Sequence, residues 1–191
     1  MPASAPVVKE LRVTPASLPE VLIVEPAVFR DDRGFFLESY NQAAMERAGI
    51  TARFVQDNHS RSSRGILRGL HYQLAPHAQG KLVRVVSGEI FDVAVDVRRS
   101  SSTFGRWVGI TLSAENFKSV WIPTGFAHGF MVLSDTADVL YKTTDFYAPE
   151  CEQTLFWDDP AIGIDWPLRT EVVLSRKDQA GRLLADAEVF A

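Results

Sequence analysis

Across 191 residues, 46% are hydrophobic and 23% charged, enough for a buried core that needs neither disulfides nor a structural metal. The 24 acidic against 20 basic side chains leave a formal net charge of -4, which argues against broad nucleic-acid or anionic-membrane binding but leaves room for a local basic pocket around a small phosphorylated ligand. A single cysteine, Cys151, excludes an intramolecular disulfide and a CxxC redox or zinc site, and no apolar run suits a secretory core or a membrane span; the expectation is one cytoplasmic domain over residues 1–191.

Residues 1–20, with Pro2, Pro6 and Pro15, read as a loosely attached N-terminal arm or an interface strand. Val21-Leu-Ile-Val24 is a short β run, and Arg30-Asp-Asp-Arg-Gly34 is a charged turn leading into a second run, Phe35 to Tyr40. Asn41 caps a brief helix to about Ala48, stopped near Gly49. Short β-prone runs follow at 82–86, 90–97, 107–112, 119–122, 129–133 and 137–142, separated by turn signals such as Ser87-Gly-Glu89 and Pro123-Thr-Gly125. Many short strands favour a sandwich or barrel, and no GxGxxG or P-loop sequence competes. In the run 90–97, Asp92, Ala94 and Asp96 share a face opposite Phe91, Val93, Val95 and Val97; whether Asp92 is a buried carboxylate in need of a partner or lines a wet edge is left open. Ser175-Arg-Lys-Asp178 carries a helix N-cap signal, which gives Asp178 a structural role in the first turn.

The chemistry concentrates between Asn58 and Tyr72, which hold two of the four histidines and three arginines, with Gln79-Gly-Lys81 just downstream. Histidine is matched to proton transfer near neutrality, and a fixed cation stabilises a developing anion; the combination suits an anionic substrate that loses a proton. His71 is the candidate base. His128, aimed by the Pro123–Gly125 turn, is a second active-site group or a partner for Asp92. His59 is less defined, and His77 reads as exposed. Tyr141, at a strand end, could donate a proton from the opposite face of a sugar ring, and Lys81 could stabilise an enolate. Arg33, Arg64, Arg68 and Arg84 are candidate phosphate ligands, Glu38, Gln56, Asn58 and Glu152 candidate polar contacts, and Phe35-Phe36 a stacking surface for a base. The Pro-x-Gly-x-x-His pattern at 123–128 is like half of a cupin metal motif, but its other half would need His-x-His where the chain has His71-Tyr72-Gln73, so a metal-free pocket is expected.

Asp32-Arg-Gly-Phe-Phe36, Phe54-Val-Gln-Asp-Asn-His59, Arg68-Gly-Leu-His-Tyr-Gln73, Ala78-Gln-Gly-Lys-Leu-Val-Arg84, Phe91-Asp-Val-Ala-Val-Asp96, Ile122-Pro-Thr-Gly-Phe-Ala-His-Gly-Phe130 and Ser175-Arg-Lys-Asp178, taken in order from about Val21 to Leu184, resemble the dTDP-4-dehydrorhamnose 3,5-epimerase family. The resemblance implies an all-β, cupin-like jelly roll with short peripheral helices. It also implies a homodimer in which an N-terminal strand reaches the neighbouring subunit, no metal or organic cofactor, and dTDP-4-keto-6-deoxy-D-glucose as substrate, on the route to dTDP-L-rhamnose. By the same resemblance His71 is the base, Asp178 its orienting carboxylate, Tyr141 the proton donor and Lys81 the enolate stabiliser, while Arg33, Glu38, Gln56, Asn58, Arg68, His128, Glu152 and Lys177 contact the substrate or support the site. The turn Ser100-Ser-Ser-Thr-Phe-Gly105 departs from the family, which often has proline before Thr103. A 3-epimerase of a related deoxysugar pathway and a non-catalytic sugar-nucleotide-binding protein are the alternatives.

Overall fold

In the computed structural model, which describes residues 10–191, the strands in chain order are β1 (Arg12–Pro15), β2 (Leu22–Glu25), β3 (Val28–Asp31), β4 (Gly34–Leu37), β5 (Gln56–Ser63), β6 (Leu67–Gln73), β7 (Lys81–Ser87), β8 (Glu89–Asp96), β9 (Trp107–Ser113), β10 (Ser119–Ile122), β11 (Phe126–Val132), β12 (Thr136–Thr143) and β13 (Glu152–Thr154). Two short helices, α1 (Gln42–Arg47) and α2 (Arg176–Gln179), sit at the periphery. One sheet has the order β1-β2-β10-β7-β12-β5, and the second β13-β6-β11-β8-β9. Each sequential jump within a sheet crosses to the facing one, and the result is a cupin-like jelly roll. No helix among the described residues is long and apolar enough to cross a membrane.

The alternating strands bury apolar side chains between the sheets: Val83 and Val85 of β7, Val120 and Ile122 of β10 and Val139 of β12 meet Ile90 and Ala94 of β8 and Phe126, Phe130 and Val132 of β11. β8 is buried on both faces. Its Val93 and Val95, with Val97 just beyond its end, point away from the other sheet and are covered by the C-terminal segment through Leu155, Ile162, Ile164, Trp166 and Leu184. That second layer accounts for the near-continuous apolar run in β8. On the outer face of the six-stranded sheet, Val24 and Leu82 pack against Met45 and Ile50 around α1.

Asn41 caps α1 as expected, its Oδ1 accepting from the Ala44 N–H at 3.1 Å, and Gly49 follows at φ +91°. The charged segment at 30–34 is a tighter turn than the sequence suggests: Val28–Asp31 is already β3, and the run expected to reach Tyr40 ends at Leu37. Of the expected arm at 1–20, residues 1–9 lie outside the described residues. Arg12–Pro15 pair with β2, and Leu18 is buried in the core.

β5 escapes a hydrophobicity reading because its sequence, Gln-Asp-Asn-His-Ser-Arg-Ser-Ser, contains no apolar residue, although it pairs with β12 along its full length. Its inward face begins with Gln56, Asn58 and Ser60, which border a polar cavity in place of a core.

Candidate active site

The cavity opens between the two sheets and has two adjoining lobes, of about 340 Å³ and about 280 Å³, which share His71, Lys81, Tyr141, Tyr147 and Glu152. His71 comes from β6, His128 from β11 and Glu152 from β13, all in the five-stranded sheet; Lys81 from β7, Tyr141 from β12 and Asn58 from β5 stand on the facing sheet. Lys177 and Asp178 arrive on α2.

Arg68 and His71 are three residues apart, so simple strand alternation would put them on opposite faces. They share the cavity because β6 slips against β11: His71 pairs with His128 but Arg68 pairs with Phe130, three residues spanning two. This is a bulge, and it re-aims a side chain. Gly69, at φ +133°, makes it possible, since a Cβ there would lie 2.4 Å from Gly129 Cα.

His71 Nε2 lies 2.6 Å from Asp178 Oδ1, and Asp178 is only 5% exposed at its side chain. Its second oxygen accepts from Ser175 Oγ at 2.7 Å, while its N–H donates to the same hydroxyl at 3.1 Å, so the helix cap and the histidine partner are one structure. Burial opposes ionisation of Asp178, but hydrogen bonds from His71, Ser175 and the Gly69 backbone outweigh it and hold the carboxyl below its ordinary value. An ionised carboxylate only accepts, so His71 Nε2 carries the proton and Nδ1 is its basic nitrogen.

Lys81 is buried, and the loss of hydration lowers its pKa to about 8 despite the opposing pull of Glu152 and Asp92. Burial raises that of Tyr141, so its phenol keeps its proton. Glu152 is buried enough to resist ionisation, yet an ion pair with Lys177 and a 2.8 Å hydrogen bond from the Tyr147 hydroxyl leave it below its usual value. Arg68 is held by its Nε donating to Ser62 Oγ at 2.9 Å. Asn58 Oδ1 accepts from Gln56 Nε2 at 2.9 Å, which turns the unpartnered Nδ2 of Asn58 into a buried spare donor.

The fold therefore gathers ten of the twelve expected residues: His71, Lys81, Tyr141, Asp178, Gln56, Asn58, Arg68, His128, Glu152 and Lys177. Arg33 and Glu38 are elsewhere on the chain. Arg33 occupies the β3–β4 turn, 90% exposed at its side chain and paired with Asp31, and Glu38 borders a separate hollow beside Leu11, Tyr40 and Met45. Arg64 pairs with Glu171, and Arg84 faces that outer hollow, so neither enters the cavity. His59 is bound to Asp138 at 2.9 Å, and His77 to Asp145 at 3.1 Å. Sequence reasoning missed Tyr147 and Ser60. An aromatic in the polar loop 144–149 was the available signal for the first, and the alternation Gln56, Asn58, Ser60 for the second.

A family model described as dTDP-4-dehydrorhamnose 3,5-epimerase matches residues 15–186. The chain is 61% identical over 181 residues to the Pseudomonas aeruginosa dTDP-4-dehydrorhamnose 3,5-epimerase, covering 94% of this chain and 99% of that one, and 57% identical with the same coverage to that of Shigella flexneri. It superposes with a TM-score of 0.91, at 53% identity and 94% and 95% coverage of this chain and the other, on the Legionella pneumophila dTDP-6-deoxy-D-glucose-3,5-epimerase solved in complex with dTDP-4-keto-L-rhamnose. Motifs, topology and the grouping of proton-transfer side chains agree with these likenesses, and the chain belongs to the dTDP-4-dehydrorhamnose 3,5-epimerase family.

Proposed function

We propose that this cavity converts dTDP-4-dehydro-6-deoxy-D-glucose to dTDP-4-dehydro-L-rhamnose by inverting C3 and C5, a step in dTDP-L-rhamnose formation. The observation that carries the reading is the His71–Asp178 pair on one wall facing Tyr141 on the other, with buried Lys81 lining the same cavity. The C4 ketone acidifies the hydrogens at C3 and C5. His71 Nδ1 removes them in turn, losing each proton to solvent between the two inversions, and Asp178 stabilises the imidazolium that forms. Negative charge collects on the C4 oxygen, where the Lys81 ammonium opposes it at the moment it develops. Tyr141 returns a proton to the opposite face, which fixes the inversion. Each step is a proton transfer that leaves the overall oxidation state unchanged.

Arg68 and Lys177 supply positive charge for the diphosphate, while Asn58 Nδ2 and Glu152 offer a donor and an acceptor to polar groups of the ligand. The remaining two expected contacts come from a second copy in a homodimer. β3 and β4 form a two-stranded sheet of their own, tipped by exposed Arg33 and carrying Phe36 at 69% exposure, which suits insertion beside a neighbour's cavity.

The test is NMR of dTDP-4-keto-6-deoxy-D-glucose in deuterated water with the purified protein and a 4-ketoreductase to trap product. Deuterium at C3 and C5 with an L-rhamno product is expected. Exchange and inversion at C3 alone would make the protein a 3-epimerase, and no exchange would leave a sugar-nucleotide-binding protein.

A further inference from the structure

Beneath the cavity lies a second histidine–carboxylate pair. His128 Nε2 is 2.8 Å from Asp92 Oδ2, with side chains 8% and 1% exposed. The register explains the placement: His128 is paired with His71 on one side and Ala94 on the other, so both imidazoles and Asp92, two residues from Ala94, project from the same face of the five-stranded sheet. His128 reaches the cavity lining, whereas Asp92 does not. The His128 bond is the only side-chain hydrogen bond that Asp92 makes among the described residues, and a buried carboxylate is costly to keep with so little compensation.

From this geometry we infer that Asp92 is a positioning residue of the epimerase site: it fixes the proton of His128 on Nε2, presenting Nδ1 to the substrate, and it supports the positive charge of Lys81 from below the cavity. A carboxylate accepts and cannot donate, so the hydrogen bond selects the Nε2–H form of the ring. Burial alone drives Lys81 toward the neutral amine, and the charges of Glu152 and Asp92 oppose that. The titratable groups facing Lys81 are His71 and Arg68 from β6, Asp92 from β8, His128 from β11, Tyr141 from β12, Tyr147 from the loop before β13, Glu152 from β13, and Lys177 and Asp178 from α2. Within that set Asp92 is withdrawn from the lining and its charge is screened least by water.

The inference rests on the epimerase reading, which wild-type deuterium exchange tests alone. Asp92→Asn keeps the shape and removes the charge. In the folded dimer, kcat should fall by about 10-fold or more with a smaller change in KM, as when a histidine loses its orienting carboxylate. The high-pH fall in kcat should also move to lower pH by about half a unit or more. A folded Asp92→Asn protein whose high-pH limb stays at the wild-type position would overturn the inference, whatever its kcat. Should that variant not fold, 15N NMR of the wild-type histidines decides, with the His128 signal assigned by its loss in His128→Asn. An Nε2–H tautomer is expected, and an Nδ1–H tautomer would overturn the assignment.

Discussion

Lys81 illustrates at the scale of one residue how the proposed function sets itself against stability. Its ammonium is deprotonated above about pH 8 in the folded protein but only near 10.5 in an ordinary lysine, so enolate stabilisation should fade as pH rises through 8. The stability sign is opposite. Between about 8 and 10.5 the unfolded chain binds the extra proton, so the destabilisation caused by burying the ammonium is complete below 8 and shrinks above it. Lys81→Met should therefore lose about 100- to 1000-fold in kcat. At pH 7 it should unfold no more easily than wild type, with a gain of up to about 3 kcal/mol. Paired kinetics and urea melts check both halves, and a marked loss of stability would refute the account. Tyr141→Phe isolates a different step: substrate deuteration by His71 should survive within about 10-fold while inverted product falls by about 100-fold or more. Equal loss of both would remove Tyr141 from the donor role.

Two elements carry the site's precision. The β6 bulge depends on backbone contact with β11, because a Cβ on Gly129 would meet Arg68 O at 2.8 Å and Gly69 Cα at 3.1 Å. Gly129→Ala should lower stability by about 2 kcal/mol. It should also depress kcat more than its stability implies, since Arg68 and His128 flank the distortion and small displacements of reacting groups are costly. A variant with wild-type melting and turnover would show that the strands tolerate wider spacing. The turn after β8 is organised around Asp96, fully buried, which accepts from Arg98, Ser101 and Thr103. Burial alone would raise its pKa, but those bonds bring it down to about 2. Its contribution is present above about pH 4 and lost as pH falls toward 2. Asp96→Ala should cost about 3 kcal/mol at pH 7, with the gap to wild type closing in acid melts. The same buried acceptor explains how Ser100-Ser-Ser-Thr103 holds a defined turn without a proline.

At the scale of the whole molecule, a single chain gathers the candidate proton-transfer groups but leaves the Arg33 hairpin outside. If Arg33 serves the partner's cavity, a dimer of one His71→Ala chain and one Arg33→Ala chain contains one site with both residues intact. Mixing the two variants after unfolding and refolding should then restore roughly a quarter of wild-type activity, because about half of randomly assorted dimers are mixed and each holds one whole site. No recovery above the separate variants would place Arg33 in its own subunit's function or in none.

The sequence by itself determined the strand-rich class and the caps at Asn41 and Ser175, because these are written in local spacing, two-residue alternation and turn residues, while motifs such as Arg68-Gly-Leu-His71 carried the family resemblance from which the candidate site was read. Tertiary structure alone decided which groups meet. Asp178 is 107 residues from His71, and nothing local distinguishes a first-turn carboxylate from a catalytic partner until α2 is docked on β6. Asp92 acquired its partner in the same way, 36 residues away, which settled it as a buried carboxylate and not a wet edge. β5 stayed invisible because a strand facing a polar cavity has no apolar alternation to betray it. The shared face of Arg68 and His71 was hidden because a bulge changes strand phase through contact with another strand, and such contacts have no signature in the order of residues along one strand.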